Sequence, residues 1–142
     1  MVADSAVCLG VAVLCGLIIG LEREKAERPA GVRTHILVCL GSAAFVHLGV
    51  IAHQIQGFGT LSDFNRLVQT VGMGIGFLGA GAIFRMGVSV KGVTTAASIW
   101  IMGAAGAAAG AGAIVLALMV SSIGYFVLRW MRILDARPPK KS

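Results

Sequence analysis

Apolar residues run along this chain in blocks of membrane length separated by short charged segments, the pattern expected of a polypeptide that crosses a bilayer repeatedly. The blocks cover 5–21, 34–53, 67–84 and one very long run from Val93 to Leu128. As a single helix the last run would extend roughly 54 Å at about 1.5 Å per residue, against a hydrocarbon core of about 30 Å. It must therefore fold back. Its weakest stretch is "GAAGAAAGAGA", Gly103 to Ala113, which places a tight turn near Gly110 to Gly112 and predicts helices at about 94–110 and 112–130. The expected fold is an all-α membrane domain over 1–130 with five transmembrane helices, followed by a basic cytoplasmic tail, 131–142.

Composition agrees with the pattern. The chain has 142 residues, 57% of them hydrophobic, and a mean hydropathy of +0.89, whereas soluble domains are about 45–50% apolar. Charged residues gather in Glu22 to Arg33, in Arg85 to Lys91 and from Arg129 onward. Lys and Arg in short loops accumulate on the cytoplasmic side. With the N terminus outside and the C terminus cytoplasmic, five spans leave Arg66 as the one external cation of twelve, whereas four spans would divide them evenly and erase the bias. The net charge of +6 is thus a topology signal and an attraction to the lipid bilayer, and calls for no nucleic acid partner. The first span has no positive residue before it and four after it, unlike a cleavable signal peptide. Cys8, Cys15 and Cys39 lie inside spans without CxxC spacing and read as small packing residues.

The stretch "GMGIGFLGAGAIFR", Gly72 to Arg85, contains Gly74, Gly76 and Gly79 in GxGxxG spacing. A dinucleotide loop would need a strand before it, a soluble helix after it and an acid about 20 residues on. The chain has no Asp or Glu between Asp63 and Asp135. Helix packing in lipid explains the glycines better, because small residues four apart let backbones approach closely. Gly72, Gly76 and Ala80 form one such row, with Gly79 on the same side, and Gly74 and Gly81 form another. The third span is therefore expected to be central, entered through a cap at Ser62 or Asp63. The alternative is a broken helix lining a polar site. In the fourth span, Gly103, Gly106, Gly110 and Gly112 among alanines suggest a thin helix held between wider ones.

Chemistry-bearing residues concentrate on the cytoplasmic rim. In one reading Glu22, Arg23, Glu24, Lys25, Glu27, Arg28 and Arg33 pair among themselves while the longer cations reach headgroups. In another, Glu22 faces inward toward Arg33 or Arg85, or joins Glu24 in holding Mg²⁺, which needs only one or two protein oxygens. No acid lies at mid-depth, which argues against a conventional coupled transporter. His47 reads as a group that hydrogen-bonds one helix to another, and Thr94 and Thr95 as caps of the fourth helix. There is no nucleophile beside a base, no His and Cys cluster and no GxxxxGK loop, so no enzyme is expected.

The segments "GLIIGLEREKAERPAGVRTHILVCLGSA", "DFNR", "GIGFLGAGAIFR" and "VKGVTTAASIW", in this order and spacing, resemble the MgtC/SapB family of bacterial inner-membrane proteins over most of residues 10–105. The resemblance implies a multi-pass hydrophobic domain linked to magnesium homeostasis under Mg²⁺ limitation and, in pathogens, to virulence. It also implies action on other membrane machines such as the ATP synthase, with direct Mg²⁺ transport and a homo-oligomeric scaffold as alternatives. Its motif positions are Gly20, Glu22, Arg23, Gly31, Arg33 and Thr34 at the first rim, Asp63 and Arg66 before the third span, Gly74, Gly76, Gly79 and Gly81 within it, and Gly92, Thr94 and Thr95 at the second rim, flanked by Arg85 and Lys91. Thr70 stands where the family pattern often has Gln. Many members continue into a soluble domain after the region matched here.

Overall fold

The computed structural model describes residues 2–56 and 60–135. It contains five helices: α1 (Val2–Lys25), α2 (Val32–Gln56), α3 (Leu61–Gly81), α4 (Val93–Gly110) and α5 (Ile114–Asp135). Four of them, all but α3, are long and apolar enough to cross a membrane. A small hairpin of β1 (Phe84–Met86) and β2 (Ser89–Lys91) joins α3 to α4, with Phe84 opposite Lys91 and Met86 opposite Ser89. Its two-residue loop has Gly87 at φ +61° in first position, as a primed turn requires. The hairpin replaces the end of the third apolar block, which the hydropathy pattern carried to residue 84. Of the expected basic tail, residues 136–142 lie outside the described residues.

Local chemistry explains where the helices stop and start. Thr60, rather than Ser62 or Asp63, caps α3: its side chain accepts from the Asp63 N–H at 3.4 Å, and the Asp63 carboxylate accepts in return from the Thr60 N–H at 2.7 Å. This reciprocal capping box sets the first turn of the helix, and α3 then runs unbroken to Gly81. Between α4 and α5 the turn is a Schellman motif. Gly112, at φ +83°, donates to the Ala109 carbonyl at 3.0 Å and Ala113 donates to the Ala108 carbonyl at 2.9 Å. Gly at this left-handed position ends the helix with its last carbonyls satisfied.

Packing is carried by small residues. The core is formed by Ala12, Cys15 and Ile19 of α1, Cys39 and Ala43 of α2, Met102, Ala105 and Ala109 of α4, and Ala117 of α5, whereas Phe77, Phe45, Trp100 and Phe126 point outward. Such an arrangement, with bulky apolar groups on the surface, suits a molecule whose surroundings are lipid. The central element is α4, which touches all four other helices, whereas α3 packs mainly on α4 and to a lesser extent on α2. The expected central role of the third span is thus corrected. A Cβ added at Gly72, Gly74, Gly76 or Gly81 would meet nothing within 4 Å, and Gly79 alone of this group approaches a neighbour, at Ala96.

The close crossings are made elsewhere. Gly106 and Gly110 of α4 lie against the carbonyls of Cys39 and Ala43 of α2, so closely that an added methyl would overlap them. Gly16 and Gly20 of α1 lie against the backbone of Ile36 and Val32, with hypothetical Cβ distances of 2.6 Å. Both pairs are GxxxG steps, and both sit opposite residues four apart on the partner helix. Removing four side chains lets α1, α2 and α4 form one tight unit.

Candidate functional site at the charged end of the bundle

The C terminus of α1, the N termini of α2 and α4, the hairpin and the C terminus of α5 converge at one end of the bundle. Here α1 closes in a second Schellman motif. Glu27 adopts φ +53° and donates to the Glu24 carbonyl, and Arg28 donates to the Arg23 carbonyl, both at 3.0 Å. Pro29 follows where the chain can no longer be helical. The reversal brings Arg28 alongside Arg23. It also lets Glu24 reach the start of α2, where its Oε2 accepts from the Val32 N–H at 2.9 Å. Gly31 leaves room for this, since a Cβ there would lie 2.7 Å from that oxygen.

Inside the rim is a set of buried polar groups. Glu22 and Arg23 are each 3% exposed, and Thr95 and Ser98 are equally buried. The Arg23 Nε donates to Glu22 Oε2 at 2.5 Å, and Glu22 Oε1 is buried without a hydrogen-bond partner. His35, wholly buried, places Nδ1 2.8 Å from the Gly31 carbonyl and Nε2 3.0 Å from Ser98 Oγ. A carbonyl only accepts, so Nδ1 carries a proton. Ser98 Oγ lies also 2.7 Å from the Thr95 carbonyl, which gives its one hydroxyl proton two acceptors. The Ser98 hydroxyl thereby links His35 of α2 to the first turn of α4.

That first turn has no side-chain cap. The N-cap is Gly92 at φ +90°, without a capping hydrogen bond, because a Cβ at this position would overlap the Ala82 carbonyl. Thr94 and Thr95 therefore do not cap α4 as expected; they occupy its second and third positions. Beside them lies a cavity of about 450 Å³, bounded by Arg23, Arg28, Gly92, Thr94 and Thr95 on one side and by Val127 and Leu128 of α5 on the other.

The rest of the predicted set divides clearly. Gly20 serves the α1–α2 crossing. Arg33 and Thr34 are exposed on the first turn of α2. Arg85, also exposed, donates to the Gly87 carbonyl at 3.0 Å and so braces the hairpin, and Lys91 is exposed on β2. Asp63 and Arg66 stand on the first turns of α3, at the opposite end of that helix. Glu22 and Glu24 are committed to Arg23 and to the Val32 N–H respectively, so they do not converge on one cation. A single carboxylate oxygen beside a guanidinium does not suit Mg²⁺, and the expected metal pair does not fit this geometry. Among the described residues no group of three His, Cys, Asp or Glu side chains is placed to hold a metal.

His47 links helices as its sequence position suggested: Nε2 lies 2.9 Å from Ser5 Oγ of α1, and Nδ1 lies 2.9 Å from the Gly110 carbonyl of α4. His35 and Ser98 are the functional candidates that motif reading missed. A signal was present, since His35, Cys39, Ser42, Ala43 and Val46 follow helical spacing and are all buried. A histidine on the same stripe as such small residues faces a neighbouring helix.

Comparison with known proteins places these features in context. The MgtC family model matches residues 9–137. The chain is 44% identical over 110 residues to Protein SrpB of Synechococcus elongatus, covering 72% of this chain and 60% of that protein. It is 44% identical over 112 residues to Protein MgtC of Brucella abortus, covering 79% of this chain and 44% of that one. Against Protein MgtC of Salmonella typhimurium the identity is 39% over 102 residues, covering 71% and 41%. The chain thus spans between 41% and 60% of the length of these relatives. No solved structure matches it significantly. With a family match over nearly its whole length and relatives of this identity, the chain belongs to the MgtC family.

Proposed function

We propose that this chain is a multi-pass protein of the bacterial inner membrane, with its charged end in the cytoplasm, that supports magnesium homeostasis in low Mg²⁺ by binding and adjusting another membrane protein. The relatives called MgtC motivate the physiological setting. The observation that carries the mode of action is the outer surface of α3. Gly72, Gly74, Gly76 and Gly81 leave bare backbone against which no side chain or backbone of the described residues is packed. Apolar clefts lie on both flanks of that helix, about 390 Å³ toward α2 and about 610 Å³ toward α4. Glycine in a helix interior costs about 1 kcal/mol relative to alanine, and close approach of a foreign helix would offset that cost. Direct transport is the weaker reading, because Glu22, the buried acid, is tied to Arg23 rather than open to an ion.

The test uses Gly72→Leu with Gly76→Leu. A Cβ at either position meets nothing within 4 Å, so the purified variant is expected to be at least as resistant to thermal unfolding as the parent. Rescue of growth in low Mg²⁺, in a strain lacking its own homologue, is expected to be lost, together with crosslinking to the partner. Undiminished rescue by the variant would remove the reading. Mg²⁺ uptake by proteoliposomes containing the parent protein alone would replace it with direct transport.

A further inference from the structure

The cavity at the charged end has the donors of an anion site. The amides of Val93, Thr94 and Thr95 open α4, and the first intrahelical bond is Ala96 to the Gly92 carbonyl at 2.8 Å. Those three amides have no protein acceptor among the described residues, and the N-terminal end of a helix carries partial positive charge. Helix starts of this kind are common, but two buried side chains set this one apart. Arg23, 3% exposed, uses Nε for Glu22, and its two terminal nitrogens have no protein acceptor among the described residues; Arg23 lines the cavity. Thr95, also 3% exposed and also lining it, has a hydroxyl without a hydrogen-bond partner there.

Among the described residues the one sealed polar atom without a partner is Glu22 Oε1, so the guanidinium fork and the Thr95 hydroxyl are donors open to the cavity, and beside three free amides they suit an oxygen-rich ligand. Charge points to the same chemistry. No carboxylate lines the cavity. Glu22 offsets Arg23, which leaves Arg28 and the α4 terminus as the uncompensated charges facing it. A volume of about 450 Å³ falls within the about 300–1,000 Å³ of small-ligand pockets and admits a phosphoryl group with its substituent.

We propose that this cavity binds a phosphate-bearing anion, with Arg23, Arg28, the Thr95 hydroxyl and the α4 amides as its donors. Such recognition combines bidentate guanidinium contacts with a helix N terminus. The ligand is either free, as inorganic phosphate or a small phosphate ester, or the headgroup of an anionic phospholipid. The site would exist whichever membrane protein α3 contacts.

Two variants spare the buried ion pair: Thr95→Val, which keeps shape and removes the hydroxyl, and Arg28→Gln, at an exposed position. Circular dichroism first establishes that each is folded. In detergent, inorganic phosphate is titrated against sodium chloride of equal ionic strength and binding is read by calorimetry. In parallel, protein reconstituted with phosphatidylglycerol and phosphatidylcholine is extracted, and retained lipid is counted by native mass spectrometry. Saturable phosphate binding, weakened about tenfold or more in each variant, would establish a free phosphate ligand. Retention of phosphatidylglycerol by the parent, lost in both variants, would establish a headgroup site. Absence of both signals, or signals that both folded variants preserve, would overturn the assignment.

Discussion

Glu27 occupies a left-handed conformation that costs a residue with a side chain about 1 kcal/mol relative to glycine. Because Glu27 is exposed and makes none of the side-chain bonds of the site, Glu27→Gly is expected to stabilise the protein by up to about 1 kcal/mol, seen as a raised melting temperature in detergent. The neighbouring acids should respond differently from one another. Glu22→Ala would leave Arg23 charged, buried and unpaired, at a cost of about 3–5 kcal/mol. Glu24→Ala removes one exposed bond to the Val32 N–H and should cost only about 1 kcal/mol; equal losses on thermal unfolding would contradict the buried ion pair. Asp63 supplies a pH dependence. The Thr60 backbone N–H, followed by its hydroxyl, holds the Asp63 carboxyl below its ordinary value. A carboxylate whose folded pKa is depressed stabilises the native state above its unfolded pKa and loses that contribution as pH falls through the folded value. The start of α3 should therefore keep its full amide protection factors at neutral pH and lose part of them, measured against the intrinsic exchange rate at each pH, below about pH 4, and Asp63→Asn should flatten that change.

At the scale of the elements, the tight unit is α1, α2 and α4, and its glycines are not the ones that attract attention in the sequence. Gly106→Val would drive a side chain into the Cys39 carbonyl, an overlap that backbone cannot relieve cheaply. A loss of about 3 kcal/mol or more is expected, in contrast to Gly76→Leu, which should not destabilise, and unfolding of the two variants side by side checks it. This contrast shows what was legible. Hydropathy and glycine chemistry located the helices and the turn at Gly112, because those depend on local conformation. Which glycines touch a neighbour depends on how each helix is rotated and on where α3 lies, and a GxxxG step looks the same whether its partner is inside the chain or outside it. Hydropathy also passed through residue 84 into the hairpin, since Ile83 and Phe84 are apolar in either structure and only Gly87 and Gly92 mark the reversal. At the site, the charged motif was visible, but the pairing of Glu22 with its neighbour Arg23, the use of Glu24 as a cap and the part played by His35 follow from where α2 and α4 meet α1.

For the whole molecule, topology is the property on which the proposed orientation rests. Three charged segments meet at one end, where Arg23, Arg28 and the ends of α4 and α5 surround a single cavity, so the cations of the first loop and the hairpin share one face of the bundle. The positive-inside rule is the ground on which that face is proposed to be cytoplasmic. The element that decides the number of crossings is α3. Asn65, Arg66, Gln69 and Thr70 dilute its first half, which explains why α3 is absent from the four most apolar helices. Its 21 residues nonetheless extend about 32 Å at about 1.5 Å each, enough for the hydrocarbon core, and its capped start and its hairpin end lie at opposite ends of the helix. Single cysteines at Ser62 and Ser89, both exposed, in a protein with Cys8, Cys15 and Cys39 replaced by alanine, separate the possibilities. With five crossings and a cytoplasmic charged end, an impermeant thiol reagent applied to intact cells labels the cysteine at 62 and spares the one at 89 until the membrane is opened. The reverse pattern would invert the molecule, and identical labelling at the two positions would mean that α3 lies along the membrane instead of through it.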